Sequence, residues 1–60
     1  MRTFEYDHNG NRVTLLVHVD QYPVTGTAII DDCEIAYSEN ESERDCIADL
    51  KEQVEACGWY

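Results

Sequence analysis

Basic residues are scarce in this chain: four Lys and Arg stand against thirteen Asp and Glu, a formal net charge of −9. That imbalance removes the cationic footprint on which phosphate-backbone binding depends, so direct binding of DNA or RNA is not expected. Long apolar runs are missing too. No stretch approaches the 18 or so residues of a membrane span, and Met1-Arg2-Thr3-Phe4-Glu5 lacks the apolar core of a secretion signal, so a cytoplasmic location is expected. Cysteine is limited to Cys33, Cys46 and Cys57, an odd set that does not read as the disulfide framework of a small secreted scaffold. Reduced thiols follow. Proline occurs once and glycine three times, too little for a low-complexity linker, and 43% of the residues are apolar, the composition of a folded globule.

Sixty residues allow a single domain, which we take as residues 1–60. Its clearest local signal is Asn9-Gly10, a dipeptide that supplies the positive φ angles of a two-residue type I′ turn. With these two as the loop, His8 faces Asn11, Asp7 faces Arg12, Tyr6 faces Val13, Glu5 faces Thr14 and Phe4 faces Leu15. This register gathers Phe4, Tyr6, Val13, Leu15, Val17 and Val19 on one face. Thr3, Glu5, Asp7, Arg12, Thr14, His18 and Asp20 fall on the other. A slip of one residue would mix the two sets, so turn chemistry and hydrophobic pattern agree. Leu16 alone breaks the alternation.

From Gln21 to Asp31, Tyr22-Pro23 and Thr25-Gly26-Thr27 read as a connecting loop, although Ala28-Ile29-Ile30 could extend a strand. A third strand is expected over Asp32 to Ser38, with Cys33, Ile35 and Tyr37 on its inward side. The run from Ser38 to Glu43 then collects capping residues and acids suited to the start of a helix. Cys46, Ile47, Leu50, Val54 and Cys57 form an apolar stripe at steps of three and four, and Gly58 suits a left-handed C-cap, so the helix is placed at 41–57. Eleven residues of helix separate Cys46 from Cys57 by roughly 16 Å, which forbids a disulfide between them. The expected architecture is α+β in two layers: a three-stranded antiparallel sheet, made of an N-terminal hairpin plus one strand, covered by one C-terminal amphipathic helix (βββα). Strand order is left open, since the 21–31 segment allows a meander or a crossover.

Chemistry-bearing motifs are few. His8, His18 and the cysteines contain no pair spaced to bring two ligands to one ion, so no metal site is assigned. His18 reads as a solvated strand residue, and the cysteines read as small core hydrophobes. Carboxylate pairs such as Asp31-Asp32 and Glu39 with Glu41 could serve acid-base chemistry or calcium, but an acid-rich chain produces neighbours by composition alone and no EF-hand spacing appears. No catalytic residue or cofactor is assigned, and the chain is read as a non-enzyme.

The acids read better as a surface. Glu41, Asp45, Asp49, Glu52 and Glu55 recur at helical spacing away from Ile47, Leu50 and Val54, diluted only by Arg44 and Lys51. Such a face suits a partner protein with a basic surface, of the kind nucleic-acid-binding enzymes carry, while a plainly solvated acidic face is the simpler alternative. Trp59 and Tyr60 follow the helix and could anchor that interface or fold back on the sheet. Because so small a core is thin, homodimerisation is the other way for the chain to bury surface.

The succession of an N-terminal hairpin, the interrupted stretch Tyr22-Pro23 to Gly26, the alternating Cys33-Glu34-Ile35-Ala36-Tyr37 and a C-terminal acidic helix resembles the small acidic early or accessory proteins of tailed phages and prophages. The resemblance is one of layout and length over most of the chain. It implies a protein that binds and inhibits a host enzyme, among them restriction and CRISPR nucleases and RNA polymerase, as an anti-defence factor and in some cases as a DNA mimic. The alternative within the same family is a structural or self-assembling accessory protein without a host target.

Overall fold

A computed structural model describes residues 1–56. Four strands, β1 (Arg2–His8), β2 (Asn11–His18), β3 (Val24–Ile30) and β4 (Cys33–Asn40), precede one helix, α1 (Glu43–Ala56). The strands form an antiparallel meander in the order β1-β2-β3-β4, so β1 and β4 are the edges. The α+β class holds, and the sheet has four strands where the sequence reading gave three.

The first hairpin follows from its turn. Asn9 and Gly10 have φ of 51° and 85°, and the pairs His8–Asn11 through Phe4–Leu15 are those the turn dictates. Val13, Leu15 and Val17 are consequently buried, with Phe4, Tyr6 and Val19 packed against them. Leu16 lies on the opposite, open face of the sheet, beside Thr3 and Thr27.

The segment from Gln21 to Asp31, expected as a connecting loop, contains β3, and Gly26 accounts for the difference. On a pleated strand a glycine looks like a break, yet here a Cβ would lie 2.8 Å from both Cys46 Sγ and Leu50 Cδ1. The helix crosses the sheet at this point, and only a missing side chain admits it. Asp31 and Asp32, read as a carboxylate pair, are the turn into β4, with φ of 52° and 63°. Asp tolerates the left-handed region better than most residues, which lets the two close a tight hairpin.

β4 also corrects the expected facing. A bulge between Ala28 and Ile29 pairs Ile29 with Glu34 and Ala28 with Ala36, leaving Ile35 as the extra residue. Beyond it the alternation is shifted by one. Ala36 and Ser38 point into the core and Tyr37, 53% exposed, leaves the inward set; Cys33, ahead of the bulge, keeps the side of its partner Ile30 but is exposed at the start of the strand. Ile35 stays half-buried against the core.

The helix starts at Glu43 and not at 41. Ser42 caps it: its Oγ accepts from the Asp45 N–H at 3.2 Å and its carbonyl from the Cys46 N–H at 3.0 Å. Glu41 therefore precedes the helix. Cys46, Leu50 and Val54 fill the sheet-facing stripe, with Ile47 partly buried beside them. Cys57, Gly58, Trp59 and Tyr60, and so the C-cap, the end of the helix at 57 and the aromatic anchor, lie outside the described residues. No helix is long and apolar enough to cross a membrane among the described residues.

Candidate functional site

The helix lies over β2, β3 and β4, and its two long sides face different neighbours. One side meets β1 through side chains. Arg2 bridges Glu43 at 3.0 Å, and the Lys51 ammonium sits 5.3 Å from the centre of the Tyr6 ring. The other side meets β4. Ser38 donates to Asp49 Oδ2 at 2.7 Å, and Gln53 donates to the Tyr37 carbonyl at 2.8 Å and to Asp49 Oδ2 at 3.1 Å.

A rotation of 100° per residue carries these contacts around the helix. Arg44, seven residues before Lys51, shares the β1 side; Asp45 and Glu52, seven apart, share the β4 side with Asp49. None of the four cations is on β3 or β4: Arg2 is on β1, Arg12 is on β2, which pairs with both β1 and β3, and Arg44 and Lys51 are on the β1 side of the helix. The acids there have cationic neighbours, since Glu43 pairs with Arg2, Glu5 lies 3.8 Å from Arg12, and Asp7 stands across from Arg12. Glu55 belongs to this side as well. Its charge reaches Tyr6, whose phenol is pushed above its usual range first by burial and then by Glu55.

The β4 flank has no cation. Asp31 and Asp32 at its turn, Glu34 and Glu39 on the strand, Glu41 after it, and Asp45, Asp49 and Glu52 on the helix form one anionic border, and no salt bridge reaches any of them among the described residues. All are exposed except Asp49, which is half-buried. The predicted site residues therefore separate. Asp45 and Glu52 lie together, Glu41 sits just ahead of the helix on the same border, Asp49 is turned inward as the acceptor of Ser38 and Gln53, and Glu55 belongs to the opposite flank. Trp59 and Tyr60 are outside the described residues. Sequence reasoning missed Glu34 and Glu39 as surface acids because it did not treat β4 as a sheet edge. Their alternation with Ala36 and Ser38 carries that signal once the bulge is allowed for.

The thiols divide likewise. Cys46 is fully buried, its Sγ 3.8 Å from the Ser38 carbonyl, and its pKa is raised by burial, with Asp49 adding to the rise and the contact with Ser38 opposing it. A buried, protonated thiol is inert. Cys33 is exposed. Among the described residues no three His, Cys, Asp or Glu side chains are grouped to hold a metal ion.

Comparison with family models, curated proteins and solved structures returned no match.

Proposed function

We propose that this protein is a non-enzymatic binding protein whose acidic β4 flank docks on a basic surface of another protein, inhibiting it as a phage-type anti-defence factor would. One observation carries the reading: charge is sorted across the fold, with no cation on β3 or β4 and an anionic border on the β4 side that no salt bridge reaches among the described residues. A solvated acidic surface that serves solubility alone has no need of such sorting, because interspersed signs do that work as well. A sorted anionic surface competes with nucleic acid for a cationic groove, and its encounter is fast and weakened by salt. The choice of a host enzyme as the target rests on the layout resemblance to small phage proteins.

The test is capture from bacterial lysate on the immobilised protein and on a variant carrying Glu34→Gln, Glu39→Gln, Asp45→Asn and Glu52→Gln. Partners retained by the parent, lost by the variant and displaced by double-stranded DNA support the reading. Equal retention by both proteins, or indifference to DNA, overturns it.

A further inference from the structure

The anionic border surrounds a sheet edge, and the backbone of that edge is open. In an antiparallel ladder, residues that bond the neighbouring strand alternate with residues whose N–H and C=O point away from it. The two-residue turn at Asp31-Asp32 makes Ile30–Cys33 the bonded closing pair, and counting through the bulge leaves Thr27–Tyr37 and Thr25–Glu39 as non-bonded pairs. The bond from Gln53 to the Tyr37 carbonyl agrees with that phase. Tyr37 and Glu39 turn their main-chain groups outward, while Ala36, Ser38 and Asn40 face β3. Gln53 takes one lone pair of one carbonyl and leaves the other for a second donor. The opposite edge differs. On β1 the side chain of Arg2 shares the helix-facing side of its strand with Phe4 and Tyr6 and is tied to Glu43, and an inward charge of this sort blunts an edge against strand addition.

We infer that the β4 edge receives an extended basic peptide segment as a fifth strand, a mode of binding that rests on the acidic-flank reading above and specifies it. Main-chain bonds to Tyr37 and Glu39 would supply register and affinity. Side chains of an added strand alternate between faces, and the open face is acidic here: Glu34 and Glu39 flank Tyr37 there, whereas the helix acid that meets β4, Asp49, already accepts from Ser38 and Gln53. Lysine or arginine on the open face therefore meets a carboxylate, whereas an acidic strand, including a second copy of β4, is repelled.

The probe is a peptide of about nine residues alternating lysine with threonine, long enough to run beside β4. Its control carries an N-methyl group on every residue, which keeps every charge and removes the main-chain donors of both edges. The expected result is protection of the Tyr37 and Glu39 amides from hydrogen exchange, with binding weakened roughly tenfold or more in the methylated peptide. Glu39→Pro should weaken the plain peptide more than Glu39→Gln does, because proline deletes an N–H that points away from β3 and is tolerated at such an edge position. Equal binding of the plain and methylated peptides overturns strand addition and leaves charge-driven docking standing. Failure of the plain peptide to bind also overturns it, while capture of a folded basic partner tests the broader reading separately.

Discussion

Ser38 and Asp49 are joined across the two layers: the hydroxyl of a strand residue only 2% exposed donates to the helix carboxylate at 2.7 Å. Asn40 donates to the same hydroxyl and Gln53 to the same carboxylate, so the helix is pinned to the edge strand by a small polar network. Spacing alone predicts a surface acid at Asp49, and this bond makes it a structural one.

Asp49→Ala should therefore destabilise the fold by about 1–3 kcal/mol, the cost of stranding a buried hydroxyl and losing charge-assisted bonds. Asp49→Asn keeps an acceptor and should cost less. Urea unfolding of the two variants checks this, and an Asp49→Ala protein as stable as the parent would assign Asp49 to the surface instead.

Gly26 should resist substitution. With two side-chain atoms at 2.8 Å from any added Cβ, Gly26→Ala pushes the helix off the sheet at Cys46 and Leu50 and should cost about 1–3 kcal/mol. Gly26→Val should cost more. Gly10, with nothing near its Cβ position but a φ of 85°, is constrained by backbone conformation alone, so Gly10→Asn should be the milder change.

Gly10 and Gly26 stand at opposite ends of what is legible in the sequence. Asn9-Gly10 fixed the first hairpin to the residue because turn type and alternation are both local. The helix stripe was legible for the same reason, and its start was misplaced by two residues because Ser38, Asn40 and Ser42 all suit a cap and only Ser42 takes the role. β3 was hidden because Gly26 answers to Cys46 and Leu50, side chains on a helix far along the sequence. The facing of β4 was hidden because the bulge depends on its pairing with β3. Of the candidate site, the residues' acidity was visible and their division between two flanks was not, since that division depends on which side of the helix meets which edge.

Stability should fall in alkali through two groups. Burial holds the protons of Tyr6 and Cys46 above their ordinary values, about 10 for a phenol and about 8.5 for a thiol. Once pH passes those ordinary values the unfolded chain releases protons that the folded chain keeps, so stabilisation present below them is lost as pH rises toward the folded values. The Tyr6 hydroxyl is also buried without a hydrogen-bond partner among the described residues. Tyr6→Phe should thus leave stability near pH 8 unchanged or improved and flatten the decline above about pH 10, while the part due to Cys46 persists. Urea midpoints across this range decide it.

Alkylation should discriminate the thiols. Exposed Cys33 should react with iodoacetamide in the native protein, and Cys46 only at the rate of unfolding, a contrast that peptide mapping by mass spectrometry reads directly. Equal labelling at both sites would show that the helix does not stay seated on β3.

The most direct test of the central claim compares two variants that lose the same charge from opposite flanks. One carries Glu34→Gln, Glu39→Gln, Asp45→Asn and Glu52→Gln; the other carries Glu5→Gln, Asp7→Asn, Glu43→Gln and Glu55→Gln. Binding of each to poly-lysine at about 0.15 M salt isolates position from net charge. If the β4 flank is the docking surface, the first variant binds at least roughly tenfold more weakly than the second. Equal loss in both would mean that only total charge matters, and the sorted surface would have no part in recognition.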